Sequence, residues 1–343
     1  MTKSAVLAGC GNMATGWLKA LGDPAVAGRV EIVGLVDLNL AAAEKLKAEF
    51  KLSDAIVSSD LEAALSDLQP DIVFDVAVSA ARLNIVKTAL VHGCHVLTEK
   101  PMATSLADAR EINAAASESG RVHAVTQNRR FKENIRRARA TVESGVLGTI
   151  TALHCDFFIG AHFGGFREEM EHVLLLDMAI HTFDAARFIS GQEPLGVYCL
   201  EANPAGSWYA HGAAANAIFE FTGDVVVTYR GSWCAEGANT NWDSSWRIIG
   251  TNGTLLWDGE TGFVAKVIDG HEGFFRPLRD VEVPPPVDER ETRGHASVIA
   301  GFLDAVDTGS APETAGADNI KSLAMVFAAI ESARTRQHVS IKT

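Results

Sequence analysis

A glycine-rich turn, Gly9-Cys10-Gly11-Asn12-Met13-Ala14, constrains this chain more than any other feature, because it follows an apolar run and opens a helical pattern directly. In a dinucleotide-binding turn the first glycine permits the tight bend and the second lets a pyrophosphate approach the backbone. The third small residue, here Ala14, keeps helix and strand close. Free N–H groups and the positive end of the helix dipole then face the phosphates. Gly9, Gly11, Asn12 and Met13 are therefore candidate cofactor contacts. Asp37 ends the second apolar run, 23 residues beyond Ala14. A carboxylate there accepts hydrogen bonds from the adenosine ribose hydroxyls and repels a 2′-phosphate. No Arg or Lys follows within Leu38-Asn39-Leu40 to offset that repulsion, so NAD is expected over NADP.

The first 120 or so residues repeat this strand and helix rhythm, which predicts a parallel sheet with helical crossovers. Strands are expected at Ser4 to Gly9, Val30 to Asp37, Ala55 to Val57, Ile72 to Val78, His95 to Glu99 and His123 to Thr126. Helices are expected at Met13 to Leu21, Leu40 to Phe50, Leu61 to Leu68 and Ala81 to His92. Asp60 is a candidate N-cap, and Ser105 with Asp108 forms a capping pattern for a further helix ending near Gly120. Beyond a basic helix at Lys132 to Ser144, β-rich segments follow one another directly from Ile150 to Ile268. This change predicts an α/β Rossmann domain over residues 1–125 and an α+β domain over residues 126–343. The second is expected to have a large, mainly antiparallel sheet. One long helix, Leu174 to Ser190, is expected to cross that sheet and stop at Gly191.

Forty-three acidic against 30 basic side chains give a formal net charge of -13. Such a field repels phosphate backbones and anionic lipid surfaces, which argues against nucleic-acid and membrane partners. No apolar run reaches membrane-spanning length. The five cysteines, Cys10, Cys94, Cys155, Cys199 and Cys234, form no C-x-x-C pair and are odd in number. With no export signal ahead of Ala5, a reducing, cytoplasmic setting is expected.

Two segments carry chemistry. Thr98-Glu99-Lys100-Pro101 stands at the carboxyl end of the fifth strand, the edge of an open parallel sheet where ligands bind. An ammonium at Lys100 can stabilise a developing alkoxide, and Glu99 beside it is a further candidate cofactor contact. Leu176-Asp177-Met178-Ala179-Ile180-His181-Thr182-Phe183-Asp184 spaces its polar groups by four and then three, which puts Asp177, His181 and Asp184 on one face of an α-helix. A carboxylate beside an imidazole orients it and raises its basicity, as proton transfer coupled to hydride transfer requires. His162 and His172 lie near Asp177 in sequence but lack the compact spacing of a metal set, so no metal is expected.

With these residues in view, the chain resembles the Gfo/Idh/MocA oxidoreductases along essentially its whole length. The resemblance rests on Gly9-x-Gly11-x-Met13, on His95-Val96-Leu97-Thr98-Glu99-Lys100-Pro101, on Arg130-Phe131 and on Leu176-Asp177-x-x-x-His181-x-x-Asp184. It implies that Lys100, Asp177 and His181 form the catalytic group, with His181 the proton acceptor, and that the bond before Pro101 is cis. The implied activity is NAD-dependent hydride transfer at a sugar or polyol carbinol carbon. An NAD-assisted glycosidase and a non-catalytic dinucleotide sensor of the same fold are the alternatives. The resemblance also implies a homodimer or homotetramer built through the broad sheet. In similar inositol dehydrogenases the place of Asn128 and Arg129 faces the polyol. Arg129 suits a carboxylate equally, or a surface cluster with Arg130 and Lys132. Asp184 and Trp242 are further substrate candidates, with His154, Asp156, His162 and His172 behind them. Two departures stand out: Glu171-His172-Val173 replaces the glycines common in the family, and Arg82 replaces a histidine.

Overall fold

The computed structural model describes residues 2–286 and 288–343. Its first eleven regular elements are β1 (Lys3–Ala8), α1 (Asn12–Leu21), β2 (Val30–Val36), α2 (Leu40–Glu49), β3 (Ile56–Ser58), α3 (Leu61–Leu68), β4 (Ile72–Asp75), α4 (Arg82–Val91), β5 (His95–Thr98), α5 (Leu106–Ser119) and β6 (His123–Val125). There follow α6 (Glu133–Glu143), β7 (Ile150–Phe158), α7 (Phe166–Glu169), α8 (Ile180–Ser190), β8 (Pro194–Ala202), β9 (Ala214–Phe221), β10 (Val225–Ser232), β11 (Ser245–Gly250), β12 (Gly253–Trp257), β13 (Phe263–Ile268) and β14 (Leu278–Val281). The last elements are α9 (His295–Thr308), α10 (Gly316–Thr335) and β15 (Val339–Ser340).

β1 to β6 form one parallel sheet of order β3-β2-β1-β4-β5-β6. Its central strands are buried on both faces, which explains their continuous apolar runs. Local chemistry sets the helix ends as read from the sequence. Asp60 accepts a hydrogen bond from the Ala63 amide, Ser105 from the Asp108 amide, and Gly120 closes α5 in the left-handed region.

By internal contacts the chain divides into one unit of Met1–Phe131 with Arg293–Ile320, and a second of Lys132–Thr292 with Lys321–Thr343. This differs from the single cut near residue 125 expected from the change of pattern. Burial is the reason: Val298, Ile299, Phe302 and Leu303 of α9 join the core of Trp17, Phe74 and Leu97 in the first unit. Phe74 lies 5.4 Å from Trp17 and 6.5 Å from Phe302, centroid to centroid. Fully burying one such side chain contributes about 1.5–3 kcal/mol, so α9 is held by its apolar face and not by its position in sequence.

In the second unit β7 to β15 build a nine-stranded sheet of order β14-β13-β12-β11-β7-β10-β9-β8-β15. Among the described residues only its β7–β10 pair is parallel. All eleven residues of α8 are buried. Phe183 packs on Phe219 and Tyr229 of the sheet, at 4.7 and 5.2 Å, while Arg136 and Arg139 of α6 cover Phe188. The expected helix over Leu174 to Ser190 is present, but its first part, Leu174–Ala179, is a π-helical turn. Among the described residues no helix is long and apolar enough to cross a membrane.

Candidate active site

In the amino-terminal unit the turn after β1 has the shape that its residues dictate. Gly9 has φ +96°, and a Cβ on it would lie 2.4 Å from the Ala77 nitrogen, so the close approach of the segment after β4 requires glycine. Gly11 has a different role. A Cβ there would meet no protein atom within 4 Å, so its small size leaves space over the start of α1 that packing does not need. α1 carries no side-chain cap and no acidic residue in its first turn, and its amino end remains suited to an anion. These features fit a dinucleotide pyrophosphate.

Asp37 stands beside that turn. Its Oδ2 accepts from the Cys10 amide at 2.6 Å and its Oδ1 from the Asn39 amide at 2.8 Å. The carboxylate thus ties the glycine turn to the end of β2 and fixes a negative charge there. Burial, aided by the charge of Asp37, pushes the Cys10 thiol up to about 12, so Cys10 is not a nucleophile.

Lys100 follows β5, and the Lys100–Pro101 peptide is cis. Two buried networks fix this turn. In the first, Glu99 Oε1 accepts from Trp17 Nε1 at 2.8 Å and His295 Nε2 at 3.3 Å, while Oε2 accepts from the Lys100 amide at 3.0 Å. Burial alone would raise the Glu99 carboxyl. The hydrogen bond and charge of His295, with help from Trp17 and Lys100, outweigh it and hold the group below its ordinary range. Both oxygens are therefore engaged inside the protein, and Glu99, expected as a cofactor contact, braces the backbone of Lys100. Asn128 Nδ2 lies 3.3 Å from His295 Nδ1, across the ring from the nitrogen that meets Glu99. Asn128, expected to face a polyol, thus directs its amide nitrogen to His295. Arg129 beside it is half-buried.

The second network centres on Arg82, only 1% exposed. It donates to Asp75 Oδ2 at 2.8 Å, to the Ala77 carbonyl at 2.8 Å and to the Pro101 carbonyl. Burial pushes the Asp75 carboxyl up while Arg82 pulls it back, and the net direction is upward. One guanidinium therefore joins the end of β4, the segment against Gly9 and the turn after Lys100.

In the carboxyl-terminal unit Asp177 lies in the π-helical turn, a distortion frequent at functional sites. Its Oδ2 accepts from Arg167 Nε at 2.7 Å. His181, at the start of α8, is 9% exposed. Asp184 is 2% exposed, and its Oδ1 accepts from Ser322 Oγ at 2.6 Å. Ser322 in turn accepts from Arg187. Asp184 thus fastens α8 to α10. The spacing that put Asp177 on a face with His181 and Asp184 assumed uniform α geometry, which the π turn interrupts at Asp177.

The remaining candidates divide by sheet face. Leu153, Cys155 and Phe157 of β7 point to the buried side, so His154 and Asp156 point to the other. There His154 meets Thr228 and Asp156 pairs with Arg230, which removes both from the neighbourhood of α8. His162 stacks on Trp208 at 3.7 Å and pairs with Glu236. His172 Nδ1 lies 2.5 Å from Glu201, whose hydrogen bond raises the imidazole above its ordinary value against the opposing effect of burial. Trp242 is 47% exposed, with its ring near Phe157 and Phe163. No cluster of three or more metal-binding side chains occurs among the described residues.

Two sequence profiles match. One, described as an oxidoreductase family with an NAD-binding Rossmann fold, covers residues 3–127, and the other, the GFO/IDH/MocA C-terminal domain, covers residues 135–256. The chain belongs to the Gfo/Idh/MocA oxidoreductase family. It is similar to the D-apiose dehydrogenase of Paraburkholderia graminis, with 27% identity over 98% of this chain and 89% of that protein. It is also similar to the inositol 2-dehydrogenase of Rhizobium meliloti, with 25% identity over 92% and 94%. Among solved structures, an oxidoreductase from Agrobacterium radiobacter in complex with NAD+, L-tartaric acid and magnesium has the same fold. Its TM-score is 0.86 at 22% identity, covering 99% of each chain.

Within this Gfo/Idh/MocA frame, sequence reading missed Trp17, His295 and Arg167. His295 lies 196 positions from its partner Glu99, and Arg167 ten positions before Asp177 in a segment without periodicity. The only available sign was a run of charge, Arg167 to Glu171, in the glycine-rich approach to Asp177.

Proposed function

We propose that this Gfo/Idh/MocA protein transfers a hydride between NAD and the carbinol carbon of a sugar, cyclitol or related polyol. The observation that carries the reading is the clamped Lys100 turn at the carboxyl edge of the parallel sheet that also bears the glycine turn. Gly9, Gly11, Asn12, Met13 and Asp37 would hold the dinucleotide, and Asp37 would favour NAD over NADP by charge. When bound, the nicotinamide supplies the hydride acceptor. Lys100 holds the substrate oxygen as negative charge develops on it, His181 takes the hydroxyl proton, and Asp177 stabilises the charged imidazole. Trp242 offers an apolar face to a sugar ring.

Lys100→Met and His181→Asn should each lower kcat by about 100-fold or more. The NAD Kd, measured by calorimetry, should stay near the wild-type value. Near-normal NADH production by both variants across a panel of aldoses and polyols would reject the assignment. Weaker binding of NAD than of NADP would reject the cofactor preference.

The outer face of the large sheet bears Tyr198, Leu200 and Ile218, each at least 40% exposed, around a depression of about 790 Å³. Such an apolar face supports assembly as a homodimer or homotetramer, which light scattering would test. The five cysteines are all unbridged, in keeping with the cytoplasm.

A further inference from the structure

We propose that Arg167 recognises a carboxylate on the substrate, so that the natural substrate is a sugar acid such as an aldonate or uronate. This rests on the dehydrogenase reading above, which puts substrate beside Asp177. Arg167 is held by one carboxylate and two rings. Its Nε donates to Asp177 Oδ2 at 2.7 Å, and its guanidinium carbon lies 5.2 Å from the Phe163 ring centroid and 4.9 Å from that of Phe166. One hydrogen bond and two aromatic faces therefore fix the plane of the group. The two terminal amino groups make no hydrogen bond to any described residue, and the side chain is 35% exposed. An anchored guanidinium with an unspent two-nitrogen edge is prepaid in entropy for a bidentate partner.

The chemistry of that edge selects the class. Guanidinium offers donors only, so a hydroxyl, which must also place its own proton, satisfies it less well than a planar carboxylate. The arginine stands next to the carboxylate assigned to stabilise the proton-accepting imidazole, so on that reading the group it binds lies close to the reacting carbon. Glu169 and Glu171 nearby are exposed and solvated, and Glu168 Oε1 is held by the Gly164 amide. These acids weaken the local field but leave the edge of Arg167 unblocked.

The test uses the full chain saturated with NAD and matched pairs that differ by one carboxylate: D-gluconate with D-glucitol, D-galactonate with galactitol, and D-glucuronate with D-glucose. Calorimetry reads binding and NADH absorbance reads kcat and KM. In at least one pair the acid should bind at least about tenfold tighter, as expected for a charge-assisted bidentate contact. Arg167→Met should abolish that preference, and Arg167→Lys, which keeps the charge without the fork, should recover only part of it. The loss should appear in KM for the acid more than in KM for its neutral partner. The inference is overturned if no acid is preferred in any pair, or if the preference survives in Arg167→Met. Arg167-dependent binding of an acid with no NADH formed from any compound would uphold the carboxylate site while rejecting the dehydrogenase reading.

Discussion

Replacing Arg82 by methionine should destabilise the amino-terminal unit, and by an amount that depends on pH. Asp75 is 0% exposed and its Oδ2 receives Arg82 Nε at 2.8 Å. Removing the partner of such a buried pair costs about 3–5 kcal/mol if the remaining carboxylate stays charged. Protonating it is the other choice. From an ordinary carboxyl value of about 3.9, that costs about 1.5 kcal/mol at about pH 5 and about 5.6 kcal/mol at about pH 8. The variant takes the cheaper course, so its deficit should be about 1.5 kcal/mol at about pH 5 and about 3–5 kcal/mol at about pH 8. The sign follows from linkage. Burial already raises Asp75, and loss of the lowering effect of Arg82 raises it further. The folded variant then binds a proton that the unfolded chain releases, so stability present below the ordinary value is lost as pH rises through the folded one. Urea unfolding followed by circular dichroism at both pH values measures this. Adding Asp75→Asn should flatten the pH dependence, because no ionisable group then remains in the pocket. A deficit under about 1 kcal/mol at about pH 8, or one that Asp75→Asn leaves equally dependent on pH, would refute the assignment of Arg82 as the sole compensating charge.

Two further outcomes follow from the same structure. Gly9→Ala should lower Tm or prevent folding, since its φ of +96° and the Ala77 nitrogen 2.4 Å away both exclude a Cβ. Gly11→Ala should melt as wild type does and lose NAD affinity, because its Cβ meets only the space assigned to the pyrophosphate; equal effects of the two substitutions on Tm would contradict this division. His172, raised by its hydrogen bond to Glu201, should contribute stability that is complete below the ordinary histidine value and lost as pH climbs through the higher folded value. Glu201→Gln should remove that slope in thermal melts, and an NMR titration of His172 should show its value falling.

What the residues announce by themselves concerns short range. Gly9, Gly11 and Ala14 act within one turn, Asp60 and Ser105 each bond an amide three residues ahead, and Gly120 and Gly191 end helices through their own backbone freedom. Such features are steric and local, so they are readable before any packing is known, as are the alternating and continuous apolar runs that distinguish the two sheets. Lys100 was legible for a related reason, since a strand end in a parallel sheet defines where its next residue must lie.

Tertiary structure decided the rest. No local rule says that α9 returns to the first unit: its apolar side matches the surface left by Phe74 and by Trp17, the latter about 280 positions away in the chain. Glu99 turned inward because Trp17 and His295 offered donors there, and Asp184 because Ser322 did, 138 positions away. A buried carboxylate must find donors wherever the fold places them, and sequence spacing carries no record of that choice. Periodicity could put Asp177, His181 and Asp184 on one ideal helix; the π-helical turn and the neighbours of each side chain determined which of them stayed near Arg167 and which became part of the core.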